Sequence, residues 1–169
     1  MAKEILYFQP VSTTKEIVAV ALLARDIWTS HYVPIIGRKQ VDYMLKTMQS
    51  SQAIREQIVK GYQYFLVKRR NENIGYAAVQ RRPQRDDLFV SKIYLYRRER
   101  GKGCGKQIMN FITKLARDQK LTALSLTVNK QNTDSIKFYE HYGFANQGPV
   151  VQDIGSGFVM DDYRMLKPI

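Results

Sequence analysis

The 169-residue sequence predicts an α/β domain built on a mixed sheet, and three observations carry that prediction. Helix-period segments fill the first third of the chain, and β-type runs rich in aromatic and branched residues dominate the middle. Between them and a later helix, the glycine-rich break Arg100-Gly101-Lys102-Gly103-Cys104-Gly105-Lys106 joins a strand-like run to a helical one. A chain of this length can bury a substantial fraction of its surface in one core. No repeat, low-complexity linker or Pro/Gly/Ser-rich stretch marks a boundary, so residues 1–169 are expected to form a single domain.

Glu4 to Phe8 reads as the first strand. Thr13 followed by Glu16 has the spacing of a capping box, and Ile17, Val20, Ala21, Ala24, Ile27 and Trp28 follow at helical spacing. A break containing Pro34 is expected from His31 to Gly37, and a second helical region from about Lys39 to Lys60, interrupted near Ser50-Ser51. Tyr62 to Lys68 and Ile74 to Gln80 read as strands joined by the turn-like Arg70-Asn71-Glu72-Asn73. After a connection containing Pro83, Leu88 to Tyr96 reads as the next strand. Ile108, Phe111, Ile112 and Leu115 put an apolar stripe on a helix over Gln107 to Gln119. Thr122 to Val128 is then a strand, and Thr133 to Tyr142 a short helix stopped by Gly143. Phe144 to Val151 and Phe158 to Leu166 complete the order β-α-α-β-β-β-α-β-α-β-β.

Composition narrows the classes. The apolar fraction of 44% argues against disorder, and no apolar run approaches a membrane span. Met1-Ala2-Lys3-Glu4 has no signal-peptide pattern, and one cysteine cannot form an internal disulfide, so a cytoplasmic protein without a membrane partner is expected. One Cys and two distant His give no metal-ligand spacing. The net charge of +12 can attract nucleic acid or a polyanionic cofactor. The basic pairs Arg69-Arg70, Arg81-Arg82 and Arg97-Arg98 are scattered between strands, as solvated strand ends and turns would be, and no nucleic-acid partner is expected from them.

The glycine break carries the chemistry. A strand that runs into glycines and then opens a helix leaves backbone N–H groups pointing outward at the positive end of the helix dipole. Glycines let the backbone approach an anion closely, and Arg100, Lys102 and Lys106 add charge. This is a site for a phosphate chain. A Walker A loop would need a glycine where Arg100 stands and a hydroxyl where Gln107 stands. A dinucleotide fingerprint starting at Gly101 and Gly103 would need its third glycine at Lys106. What fits is Arg-x-x-Gly-x-Gly on Arg100, Gly103 and Gly105. That pattern resembles the acetyl-CoA pyrophosphate loop of the GNAT N-acetyltransferase superfamily.

Two further patterns fall where that family has them. Ile93-Tyr94-Leu95 precedes the loop, where the family has a bulged central strand whose main chain binds the pantetheine arm. Downstream, Asn132-x-x-Ser135-x-x-x-Tyr139 followed by Gly143-Phe144 looks like the family's other cofactor motif. The resemblance implies a GNAT-like fold: a central mixed, mostly antiparallel sheet of about seven strands flanked by about four helices. It implies acetyl-CoA as acyl donor, bound by Ile93, Leu95, Arg100, Gly101, Lys102, Gly103, Cys104, Gly105, Lys106, Asn132, Ser135 and Tyr139. The Trp28 helix, Tyr43-Met44-Leu45 and Tyr62 to Leu66 look similar to a bacterial branch that includes polyamine N-acetyltransferases. Dimerisation is common in the family, so a homodimer is among the expectations.

The implied reaction is direct transfer to a primary amine, whether a polyamine, an amino acid, another small amine or a protein amino group. The N–H at Leu95 would stabilise the oxyanion, and Tyr139 would protonate the departing thiolate, without a covalent enzyme intermediate. Many relatives have a Glu two residues before the position of Ile93, where this chain has Ser91, so a base is left to His31, Asp162 or a water chain. His31 and Tyr32 fall in the segment that lines the acceptor cleft in relatives. Asp161-Asp162 reads equally as an attractor of a cationic amine or as charge protecting a strand edge. Cys104 reads as a small packing residue rather than a nucleophile. Ser91 also leaves room for an alternative: a non-catalytic CoA-responsive or basic nucleic-acid-binding module on the same fold.

Overall fold

The computed structural model describes residues 3–169; Met1 and Ala2, where the segment read as lacking a signal-peptide pattern begins, lie outside them. The elements in chain order are β1 (Tyr7–Pro10), α1 (Thr14–Ile36), α2 (Arg38–Met48), α3 (Ser51–Val59), β2 (Tyr62–Arg69), β3 (Glu72–Arg82), β4 (Asp87–Leu95), α4 (Cys104–Asp118), β5 (Ala123–Asn129), α5 (Thr133–Tyr142), β6 (Ala145–Gly155) and β7 (Phe158–Pro168). The strands form one seven-stranded sheet in the order β1-β2-β3-β4-β5-β7-β6. Helix α4 crosses over between β4 and β5, which makes that pair parallel while the other five pairs are antiparallel.

Local chemistry explains the helix boundaries. Thr13 and Glu16 form the capping box: the Thr13 hydroxyl accepts from the Glu16 N–H at 3.2 Å, and the Glu16 carboxylate accepts from the Thr13 N–H at 2.8 Å. The break expected from His31 to Gly37 shrinks to Gly37 alone, because α1 continues through Pro34 to Ile36. A proline inside a helix removes one hydrogen bond, at a cost of about 3 kcal/mol. Packing of the Tyr32 ring against Trp28 and Tyr94, with centroids 4.7 and 6.0 Å away, opposes that cost and keeps the last turns helical. The second helical region divides at Gln49, where Ser50 caps α3 by accepting from the Ala53 N–H at 3.2 Å. Among the described residues there are five α-helices, one more than expected.

The sheet carries a core on each face. On one, Ile108, Met109 and Ile112 of α4 pack with Leu88, Val90 and Leu124. On the other, Val20, Ile27 and Trp28 of α1, Val41 of α2 and Ile54 of α3 cover Tyr64 and Tyr76. Strand β4 serves both faces through a bulge. Val90 pairs with Val79 and Lys92 with Ala78, so Ser91 is the extra residue. The bulge resets the alternation, so Val90, Ile93 and Leu95 all face α4, whereas Tyr94 faces α1. Among the described residues no helix is long and apolar enough to cross a membrane.

Candidate active site

Strands β4 and β5 pair only where Asp87–Phe89 meets Ala123–Ser125. Beyond those residues they part, and a cavity of about 510 Å³ opens between them. The Tyr96 N–H donates to the Ile74 carbonyl on the β3 side at 3.0 Å. Because N–H direction alternates along a strand, the Leu95 and Ile93 N–H groups point the opposite way, into the parting. Both residues line the cavity. Gly75, the partner of Leu95, permits this close approach of β3 and β4, since a Cβ there would collide with the Tyr94 carbonyl oxygen.

The glycine loop closes one end of the cavity. Gly101 and Gly103 have φ of +74° and +79°, and Gly103 is the N-cap of α4 without any side-chain capping bond. The first-turn N–H groups of α4 therefore have no side chain competing for them. A Cβ at Gly105 would lie 3.0 Å from the Phe138 ring, so glycine there lets α5 approach the start of α4. Arg100 places one guanidinium nitrogen 3.1 Å from His31 Nδ1 and donates another N–H to the Leu95 carbonyl at 3.2 Å. Arg100, Gly101, Gly103, Gly105 and Lys106 all line the cavity; Lys102 and Cys104 do not. Lys102 Nζ lies 3.9 Å from Glu99, and Cys104 is buried with its sulfur 3.2 Å from an Arg69 nitrogen. Arg69 also pairs with buried Glu99 at 2.5 Å, which pins the turn leading into the loop. Positive-φ glycines, an uncapped helix start, two cavity-facing cations and two unpaired strand N–H groups together fit a pyrophosphate-bearing donor with an amide-rich arm.

Helix α5 forms the wall beside the loop, with Phe138 against Gly105. Asn132 is its N-cap, yet its side chain makes no capping bond; it is buried beside His31 and Tyr32. Ser135 and Tyr139 line the cavity from the same helix. The Tyr139 ring packs between Phe138 and Phe144, with centroids 5.4 and 5.6 Å away. Burial, with a smaller contribution from Tyr32, pushes its hydroxyl above the ordinary phenol range, so it holds its proton at neutral pH.

The α1–α2 side supplies the remaining wall, where His31, Tyr32, Trp28, Tyr94 and Asp162 converge. Asp162 sits on β7 opposite Asn129 and is only 5% exposed. Burial, then the neighbouring Asp161, raises its carboxyl to about 6, against the opposing pull of the Thr127 hydroxyl and Lys130. Burial and the Arg100 charge lower the His31 imidazole, which keeps it neutral at pH 7. Ser91 lines the cavity at the bulge. Every site residue expected from sequence except Lys102 and Cys104 thus meets in one cavity. Trp28 and Tyr94 had only a core or backbone reading, because their aromatic patterns are those of packed elements. For Asp162 the available signal was strand parity, which separates it from Asp161 onto the α1 face.

Comparison with known proteins adds the family. A family model described as an acetyltransferase (GNAT) domain matches residues 32–165. No curated protein matches the chain in sequence. The fold is similar to that of a PaiA N-acetyltransferase from Thermoplasma acidophilum solved with coenzyme A, at 18% identity and a TM-score of 0.80 over 100% of both chains. A GCN5-related N-acetyltransferase from Rhodopseudomonas palustris aligns at 12% identity with a TM-score of 0.83, covering 100% of this chain and 99% of that one. A chimera of the spermidine N-acetyltransferase SpeG from Vibrio cholerae aligns at 17% identity with a TM-score of 0.70, covering 96% and 94%.

Proposed function

The chain belongs to the GNAT acetyltransferase family, whose acyl donor is acetyl-CoA, and we propose that residues 1–169 form one catalytic domain that moves an acetyl group directly to a primary amine in a ternary complex. The observation that carries this reading is the convergence in one cavity of an anion-binding loop, an unpaired strand N–H, a protonated tyrosine and a buried carboxylate. When bound, acetyl-CoA supplies an activated thioester. The loop residues Arg100, Gly101, Gly103, Gly105 and Lys106 hold its pyrophosphate, with Lys102 and Cys104 contributing through the backbone of the same loop. The Ile93 N–H, with Asn132 and Ser135 of α5, would align the pantetheine arm, and the Leu95 N–H would meet the acetyl carbonyl.

Each proton then has a station. Asp162 binds the acceptor's ammonium and takes its proton on a carboxylate oxygen; a carboxyl raised to about 6 is ionised at pH 7 and is a better base than an ordinary aspartate. The Leu95 N–H faces the developing oxyanion, a term worth about 3 kcal/mol where one such donor has been removed in other enzymes. The Tyr139 hydroxyl would donate its proton to the leaving sulfur. The second proton that the nitrogen sheds on becoming an amide would restore the Tyr139 hydroxyl, while Asp162 releases the first to solvent. His31 stays neutral and orients Arg100. The lone thiol, buried at Cys104, suits a reducing compartment, in keeping with a cytoplasmic enzyme.

The test is free-thiol release from acetyl-CoA with and without a panel of primary amines. Amine-dependent release that is lost in Asp162→Asn and slowed in Tyr139→Phe is expected. Tight acetyl-CoA binding without release by any amine or protein acceptor would instead favour a sensor.

A further inference from the structure

The acceptor half of the cavity has a composition that the transfer reading does not require, and the following inference rests on that reading while naming its substrate class. Along β7, Tyr163 and Met165 pack with the α4 core, and Met160 packs with the α1–α3 core. Asp162 shares the face of Met160 by strand alternation. Trp28 and Tyr32 of α1 and Tyr94 of β4 stand on the same face, with Trp28 centroids 4.7 Å from Tyr32 and 5.1 Å from Tyr94. Ile36, Met44 and Met160 add apolar side chains to this wall, and Gln40 of α2, which is uncharged, donates to the Val159 carbonyl at 2.8 Å.

Charge in this half is single. Two carboxylates line the cavity, Asp134 and Asp162. Asp134 is exposed on the first turn of α5, near His31 and Arg100, at the loop end. Asp161, on the opposite face, is paired with Lys130 at 2.6 Å. Asp162 is thus the one buried carboxylate of the cavity wall. A second ammonium on the acceptor would have to be buried among apolar and aromatic side chains with no carboxylate to meet it. Ring faces attract an ammonium, but less than its burial away from water costs.

We propose that the acceptor is a monoamine, with one primary ammonium held by Asp162 and an alkyl or aromatic body seated among Trp28, Tyr32 and Met44. Such an amine satisfies the single carboxylate and fills the apolar wall. A polyamine satisfies the carboxylate once and leaves its other charges unpaired. The +12 net charge works in the same direction, since it repels polycations before they reach the cavity.

Trp28 is the chain's single tryptophan, so its fluorescence reads acceptor binding separately from turnover. With CoA present, 2-phenylethylamine is expected to shift the Trp28 emission and to bind about 100-fold tighter than spermidine, with thiol release from acetyl-CoA following the same order. Asp162→Asn is expected to weaken 2-phenylethylamine binding by about tenfold or more while CoA affinity stays unchanged. Spermidine binding as tightly as 2-phenylethylamine, or no emission change with either amine, overturns the inference. Tight 2-phenylethylamine binding without thiol release upholds the monoamine site and overturns the acetyl-transfer reading instead.

Discussion

The two ends of the cavity are built in different ways. The loop end is made from contiguous chain: Arg100 to Lys106 supply the cations, the positive-φ glycines and the helix start within seven residues. The acceptor end is assembled from α1, α2, β4 and β7, so that Trp28 and Asp162 face one cavity from distant parts of the chain. A contiguous anion site uses backbone donors, which any compatible sequence can provide once glycines set the turn. The acceptor end depends on side chains, and each must be positioned by the packing of its own element. Substitutions at the loop end are therefore expected to act on donor affinity, and those at the acceptor end on amine recognition and rate.

The largest separation is expected from Asp162→Asn. Amine kcat/KM is expected to fall about 1,000-fold with acetyl-CoA KM unchanged, as steady-state kinetics in both substrates will show. The sign of the pH dependence follows from the raised carboxyl: Asp162 gains a proton as pH drops through about 6, so wild-type kcat/KM falls below that pH and the limb disappears in Asp162→Asn. Tyr139→Phe comes next, with kcat reduced about 100-fold and donor affinity retained. Gly103→Ala is smaller and confined to the other end. Its φ of +79° opposes a Cβ, and acetyl-CoA KM is expected to rise about tenfold while amine binding to the donor-saturated enzyme is unchanged.

Lys92 sharpens the contrast because it lies on the acceptor face yet outside the cavity wall. Its ammonium is buried, bonded to the Tyr64 hydroxyl and to Gln57 Oε1 at 2.7 Å. Burial lowers it to about 7, whereas an unfolded lysine titrates near ~10.4. Between those values the unfolded chain binds more protons, so stability rises with pH from about 7 to about 10, and the penalty is fully present below 7. Its ceiling is about 5 kcal/mol. Lys92→Met is expected to flatten this dependence in thermal melts across that range and to leave kcat/KM unchanged.

The same contrast explains what could be read from sequence. The strands and the loop were legible because aromatic and β-branched runs, the capping box at Thr13 and the Arg100–Gly105 spacing are local signals. The continuation of α1 through Pro34 was not, since Trp28 and Tyr94 hold that turn from outside the segment. Cys104 and Lys102 fall in the loop by sequence, but the helical turn of α4 directs Cys104 into the core and Glu99 draws Lys102 aside. Asp162 could be noticed but not placed, because its neighbours Thr127 and Tyr32 come from two other elements.

The most direct test follows the acetyl group itself. Wild-type protein incubated with acetyl-CoA carrying an isotopically labelled acetyl group and 2-phenylethylamine is expected to yield labelled N-acetylated amine and CoA in equal amounts by mass spectrometry. Label recovered as free acetate, or acetyl-CoA left intact in the presence of every amine tried, would contradict direct transfer in a shared cavity.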